Sequence, residues 1–291
     1  MTDDAADTRP DSDHSPKRSI DVLVLSDIHL GYRGCHAEEL LAYLKTVDPK
    51  RVVLNGDIID IWQFSKRFWP ESHLKVLRRL LKFAQRGVPV HYVTGNHDEA
   101  LRRYSPFQLG NVELVDRLEL MIDGRRHWFL HGDAFDALIA TPRWLQWIGT
   151  LGYDGVSFVS SWINRIRVLC GMPRISPARY FKANLASAAR HIARFEETCA
   201  KMAGERGCDA VVCGHIHAAN KRLYQVGNRD VLYLNSGDWV ESCTALEYVD
   251  GQWTVVHIDH LAVDHEEALS ETSAMGPAEL LHEVVGKTSV A

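Results

Sequence analysis

The stretch VLSDIHLG, residues 24–31, is an apolar run that ends in an acid and an imidazole two positions apart, Asp27 and His29. A buried strand carrying such a pair at its end has two readings. It is a capped turn, or it is one part of a metal site whose other ligands come from elsewhere in the chain. Four later segments repeat the pattern. VVLNGDIID places Asp57 after an apolar run, and YVTGNHDE places Asn96, His97 and Asp98 after another. WFLHGD does the same for His131, and VVCGHIH for His215 and His217. Strand ends of an α/β sheet converge on one crevice, so Asp27, His29, Asp57, Asn96, His131, His215 and His217 are expected to meet.

Carboxylate, amide and imidazole donors without a thiolate suit two divalent cations. Mn²⁺ is the first choice, and Fe²⁺, Zn²⁺ and Mg²⁺ also match the donor set. Two cations about 3.5–4 Å apart need a bridging carboxylate and activate one shared water. Asp57 is the expected bridge, because the preceding glycine lets a bare turn approach the metals. Taken singly, each residue has an ordinary role: an N-cap for Asp57, a turn for Asn96, a core or solvated position for each histidine. Five blocks of the same kind in sequence do not follow from those roles. Asp133 and Asp136 read as turn or cap residues, and His36, His73, His91, His127, His191 and His257 as structural or solvated.

The surrounding rhythm is strand, helix, strand, helix, strand: strands over 20–25, 51–54 and 90–94, helices over 35–47 and 73–85. This order predicts parallel strands with crossover helices. Shorter strands follow over 112–115, 118–122 and 127–130, the last two joined by the turn DGRR. After residue 207 the strand pattern returns over 210–213, 221–225, 231–234, 245–248 and 253–258. The expected fold is two sheets face to face with helices outside.

Residues 137–207 break this rhythm. They read as helices over 143–151, 156–169 and 177–203, forming a helical cap inserted in a domain that spans 20–261. The insertion carries ten Lys or Arg against four Asp or Glu, in a chain of formal net charge −5. Its arginines and lysines, Arg179 and Lys182 among them, alternate with large apolar side chains, a composition suited to an anionic lipid surface or a lipid phosphate. Trp239, in NSGDWVESC, is expected either to border the pocket and stack on a base or to pack into the core.

Composition bounds the remaining choices. At 291 residues and 46% hydrophobic content the chain has the make-up of a soluble α/β protein. Six cysteines without a CxxC pair read as reduced thiols in a cytoplasmic protein. Residues 1–19 are acidic and contain Pro and Ser, which predicts a disordered tail and not a signal peptide. Residues 262–291 predict a loose tail with a short helix over 277–285. No run of about 18 uncharged apolar residues predicts a spanning helix, so any membrane contact would be peripheral, at the inner membrane.

The blocks DIH, GDIID, GNHD, HGD and GHIH, in this order, resemble the calcineurin-like metallophosphoesterase superfamily. The resemblance runs from Asp27 to His217 and, through the strand rhythm, to about residue 258. It implies an α/β fold, a four-layer αββα sandwich. It also implies a division of ligands: Asp27, His29, Asp57 and His217 on one metal, and Asp57, Asn96, His131 and His215 on the other. By the same resemblance His97 faces the scissile phosphate, stabilises its charge and protonates the leaving oxygen, while Asp98 orients His97. Within the superfamily SDIHLG, GDIIDIW and the helical insertion look most like the UDP-2,3-diacylglucosamine hydrolases of lipid A biosynthesis. Those enzymes cleave a pyrophosphate to UMP and a lipid sugar phosphate. That family typically carries Arg where this chain has His97, so GNHD is the general superfamily form. The expected partner is therefore a phosphate-containing lipid or nucleotide. Nucleic acid is disfavoured by the overall acidity and the lack of a nucleic-acid-binding module. A non-catalytic scaffold is disfavoured by the full ligand set.

Overall fold

The computed structural model describes residues 17–62, 68–135 and 177–258, with the side chains of 177–188 excepted. In chain order the elements are β1 (Arg18–Ile20), β2 (Val22–Leu25), α1 (Ala37–Thr46), β3 (Val47–Pro49), β4 (Val52–Asn55), α2 (Glu71–Gln85), β5 (Val90–Val93), β6 (Phe107–Leu109), β7 (Val112–Val115), β8 (Leu118–Ile122) and β9 (Arg125–Phe129). They continue with α3 (Pro177–Glu205), β10 (Ala210–Cys213), β11 (Asn220–Val226), β12 (Arg229–Asn235), β13 (Thr244–Val249) and β14 (Gln252–His257).

A seven-stranded sheet has the order β14-β13-β2-β4-β5-β7-β6, and a five-stranded sheet the order β11-β12-β10-β9-β8. Within the first, β2, β4, β5 and β7 are parallel. Within the second, β9, β10 and β12 are parallel. Val22, Val24, Val53, Val93 and Val115 of the first sheet meet Leu118, Ile122, Phe129, Val212 and Leu234 of the second in one buried cluster. Side chains alternate faces along a strand. Leu23, Leu25, Val52 and Leu54 therefore point the other way, and they too are buried, on the face covered by the crossover helices α1 and α2. On the outer face of the five-stranded sheet, Phe195, Cys199, Ala200 and Ala203 of α3 pack on Val211, Cys213, Val231 and Tyr233. These four layers make the expected αββα sandwich.

Several boundaries differ from the sequence reading. The strand expected over 20–25 is split at Asp21, and β1 pairs separately with β3. Arg18 and Ser19, within the stretch expected to be a tail, thus belong to a strand. It is fastened there by a bidentate ion pair from Arg18 to Glu247, 2.9 and 2.8 Å, with the Tyr43 hydroxyl donating to the same carboxylate at 2.7 Å. The turn between β8 and β9 is only Asp123-Gly124, both at positive φ, and both arginines of DGRR belong to the strand. The last helix of the expected cap is longer than 177–203. From Phe195 onward it forms a layer of the sandwich, because its apolar stripe is buried against β10 and β12. The expected helices over 143–151 and 156–169 and the tail over 262–291 lie outside the described residues. No helix among the described residues is long and apolar enough to cross a membrane.

Candidate metal centre

The C-terminal ends of β2, β4, β5, β9 and β10 carry the predicted residues, and the two sheets bring them to one place. Asp27, His29 and His217 offer ligand atoms that all lie within 4.8 Å of one another, and so do Asp27, Asp57 and His131. Asp27, Asp57 and His131 are almost fully buried, with 0%, 2% and 1% exposure. His217 Nε2 lies 3.3 Å from Asp27 Oδ1, His131 Nε2 3.1 Å from Asp57 Oδ2, and His29 Nε2 4.0 Å from Asp57 Oδ2. His215 stacks edge-on to His131 at 5.2 Å, and its backbone N–H donates to the Asp27 carboxylate at 3.0 Å.

The strand ends turn sharply here. Asp27, His29, Asp57, His215 and His217 all have positive φ, between 51° and 70°. Backbone hydrogen bonds hold the turns against one another: Asp27 N to Gly56 O at 3.0 Å, His29 N to Asp57 O at 2.9 Å, and Trp239 N to Asp27 O at 3.0 Å. A Cβ at Gly95 would overlap the Asp57 carboxylate, so the loop after β5 reaches the centre only with glycine there.

The residues fit a pair of divalent cations. His29 Nε2, Asn96 Oδ1 and His131 Nε2 are among the buried polar atoms that make no hydrogen bond with another described residue, the last facing the Asp57 carboxylate only as an ion-pair contact at 3.1 Å. Such atoms cost about 1–3 kcal/mol each when left unpaired, and all three belong to the predicted ligand set. The Nδ1 of His131 faces Asn55 O at 3.0 Å. That bond fixes the hydrogen on Nδ1 and leaves the Nε2 lone pair for a metal. Burial alone would raise Asp27, but His131, His217 and His29 hold it below the usual carboxylate range. Asp57 is lowered in the same way, chiefly by His131 against its burial. Both carboxylates thus stay ionised at neutral pH, as ligands must be.

His97 lies beside this cluster, its ring 4.6 Å from that of His29 in an edge-on contact. Its expected orienting partner is not Asp98. The Asp98 carboxylate is fully engaged elsewhere, accepting from Gly95 N at 2.6 Å, Ile58 N at 3.0 Å and the Tyr92 hydroxyl at 2.6 Å. Those bonds shape the GNHD loop. The carboxylate facing His97 is Asp60, with Oδ2 3.1 Å from His97 Nδ1 and 3.4 Å from His29 Nδ1. Burial pulls the His97 imidazole down, and the Asp60 contact with the charges of Asp57 and Asp60 outweighs it, so His97 is raised. Asp60 is 1% exposed. Its sequence signal was a second acid three positions after the bridging one in GDIID.

The other correction concerns Trp239. It is 0% exposed and packs on Tyr43 at 5.8 Å, so it cannot stack on a substrate base. The loop after β12 folds beneath the centre, because Asp238 Oδ1 accepts the N–H groups of Val240 and Glu241 and closes a tight turn. The aromatic at the surface of the site is Trp62, 64% exposed and 5.0 Å from the His97 ring. Arg179 and Lys182 lie on α3, but their side chains fall outside the described residues.

The Calcineurin-like phosphoesterase family model matches residues 20–219. A UDP-2,3-diacylglucosamine hydrolase of Neisseria gonorrhoeae is 24% identical over 245 residues, covering 79% of this chain and 95% of that protein. One of Porphyromonas gingivalis is 28% identical over 120 residues, covering 38% of this chain and 45% of its own length. Among solved structures, a phosphoesterase from E. coli aligns over 82% of this chain and 99% of its own at 15% identity and a TM-score of 0.38. With the family model spanning the five motif blocks and more than half of its length, this chain belongs to the calcineurin-like phosphoesterase family of metal-dependent hydrolases.

Proposed function

We propose that the chain hydrolyses a pyrophosphate or phosphodiester bond of a lipid-linked nucleotide of the UDP-2,3-diacylglucosamine type, releasing UMP and a lipid sugar phosphate. The observation that carries the hydrolytic part is the pair of ligand groups Asp27, His29, His217 and Asp27, Asp57, His131, whose atoms lie within 4.8 Å of one another in each group, with His29 Nε2, Asn96 Oδ1 and His131 Nε2 making no hydrogen bond among the described residues. The name shared by the curated relatives supports the substrate class. Two divalent cations held there, Mn²⁺ by preference, would supply Lewis-acid polarisation of the phosphoryl group and activation of water.

The chain's own residues do the rest. Asp27 and Asp57 bring negative charge already ionised. His97 presents the ring nitrogen remote from Asp60 to the substrate, and its raised proton affinity suits it to protonate a leaving oxygen. Trp62 offers an exposed apolar face beside His97 for the group attached to that oxygen. On the insertion, Arg190 and Arg194 of α3 are exposed, consistent with peripheral contact to an anionic lipid surface from the cytoplasmic side. A second reading is favoured by His97 itself, since the hydrolases named above typically carry Arg there. In that reading the substrate is another lipid or nucleotide phosphodiester.

The test is Mn²⁺-dependent cleavage of UDP-2,3-diacylglucosamine, with bis-p-nitrophenyl phosphate alongside and EDTA as the control. Release of UMP that EDTA blocks supports the lipid-nucleotide reading. Cleavage of the chromogenic ester alone moves the substrate to other phosphodiesters, and inertness toward both refutes the proposal.

A further inference from the structure

The candidate centre is split between the two sheets. Asp27, His29, Asp57 and Asn96 follow strands of the seven-stranded sheet, whereas His131, His215 and His217 follow β9 and β10 of the other. The ring therefore holds its shape only if the strand ends are fixed across the gap. Among the described residues, two buried side-chain bolts cross it close to the ligands. Ser26 Oγ, next to Asp27, meets Ser236 Oγ at 2.7 Å and donates to Gly237 O at 3.0 Å. Asn55, at the end of β4, donates from Nδ2 to Leu130 O at 3.1 Å and Val212 O at 3.2 Å.

We infer that Asn55 is a positioning residue that sets the affinity of the metal subsite containing His131. It holds that histidine from two directions. Its side chain grips the carbonyl of Leu130, the residue just before His131, and its own carbonyl faces His131 Nδ1 at 3.0 Å. The same amide grips Val212, three residues before His215. Asn55 is 0% exposed, and its Oδ1 has no partner among the described residues. The amide is thus present for its two hydrogens. Asp brings none at neutral pH and would set a charge against two carbonyls, Ser brings one, and Leu matches the volume with no donor. The Asp27–His29–His217 group is held differently, through the Ser26 bolt and the hydrogen bonds to Gly56 and Asp57 backbone oxygens.

The inference rests on the dinuclear reading above. The test titrates Mn²⁺ into the full chain stripped with chelator, following binding by calorimetry and the coupled-pair signal by electron paramagnetic resonance. The wild type should bind two equivalents. Asn55→Leu should bind the first within about threefold of wild type and the second about 10–100-fold more weakly, the range seen when the outer partners of metal ligands are removed. Ser26→Ala, which breaks the other bolt, should leave the His131 subsite within about threefold. If Asn55→Leu does not fold, Asn55→Ser keeps one donor and should show an intermediate weakening of the second equivalent only. Unchanged affinity at both subsites overturns the inference. So does equal weakening of both in step with a lower chelator-state melting temperature, which is the mark of a merely structural role. A wild-type chain that binds one equivalent overturns the dinuclear reading itself, and this inference with it.

Discussion

Asp60→Asn is the sharpest probe of how the centre acts. The substitution keeps the side-chain shape and removes one charge from a carboxylate that is 1% exposed and lies 3.1 Å from His97 Nδ1. This contact between a buried carboxylate and an imidazole, taken at the strength of a hydrogen bond to a charged group, contributes about 1.5–3 kcal/mol. Losing it in the transition state lowers kcat by about 10- to 150-fold, at 1.36 kcal/mol for each factor of ten. The loss should depend on the leaving group. A nitrophenolate departs without a proton, so bis-p-nitrophenyl phosphate should lose little, whereas an alkyl or nucleotidyl leaving group should lose the full amount. The pH profile has a sign as well. Burial lowers His97, and the Asp60 contact, the largest of the opposing influences, holds it up. Asn at position 60 therefore lowers the His97 pKa, and the basic limb of the rate profile moves to lower pH.

Asp60 Oδ2 also lies 3.4 Å from His29 Nδ1, so the assay must be run with Mn²⁺ saturating and its occupancy measured. The double variant Asp60→Asn with His97→Ala then separates the two routes. If Asp60 acts through His97, adding Asp60→Asn to His97→Ala costs almost nothing more. Two effects that multiply would refute the coupling, and an equal loss on both leaving groups would refute proton donation by His97.

Three further outcomes are expected. Asp57→Ala should lose both metal equivalents by elemental analysis, since its carboxylate faces His131 at 3.1 Å and His29 at 4.0 Å; retention of one full equivalent would remove Asp57 as the bridge. Trp62→Ala should raise KM for the lipid nucleotide by about tenfold, equivalent to about 1.4 kcal/mol of lost apolar burial, while kcat on bis-p-nitrophenyl phosphate changes less than about twofold; equal effects on both substrates would remove it from substrate contact. Three buried histidines should contribute stability that is lost as pH drops through 6.5, opposite in sign to the raised His97, His131 and His217. Burial lowers His73, His91 and His127 below that ordinary value, so between the folded and unfolded pKa the unfolded chain binds more protons, and the contribution is fully present only above 6.5. Urea midpoints at pH 7.5 and 5.5 should show it as a difference from the variant: His127→Gln, which removes one of the three groups, should lose less stability than the wild type on going to pH 5.5, and an identical change in both would refute the assignment.

The parts of the molecule legible in the sequence are those fixed by spacing. β4, β5 and β7 follow from four-residue stretches dominated by Val, Leu and Tyr, VVLN, VHYV and VELV, and the ligands from polar residues placed just beyond apolar stretches. What the sequence hid depends on which way a loop folds. Trp239 directly follows a GD pair in GDW, and Trp62 directly follows an Asp-Ile pair at the end of GDIIDIW. One is buried by the hydrogen bonds of Asp238 and the other is left at the surface beside His97. Asp98 adjoins His97 in sequence and points away from it, while Asp60 is distant in sequence and faces it. Adjacency in a turn says little about side-chain direction, because the chain reverses within a few residues. The short β6 escaped notice because three residues, Phe107-Gln108-Leu109, are too few to carry a periodic signal.

That reversal also explains why the ligand positions hold such costly residues. Among the described residues eight other than glycine have positive φ, and five of them are Asp27, His29, Asp57, His215 and His217. The left-handed conformation costs an L-residue roughly 1–2 kcal/mol, less for Asp, which hydrogen-bonds locally. Five such residues together cost an amount comparable with the roughly 5–15 kcal/mol net stability of a whole domain. Glycine would remove that cost at every one of the five sites, as it does at Gly56 and Gly132 beside them. The strain is sustained by the backbone bonds between the β2 and β4 turns and from Trp239 to Asp27. Backbone strain concentrated on acids and imidazoles that face one another is the pattern expected where side chains are selected for what they bind. A chain selected only for its fold would keep the turns and lose the ligands.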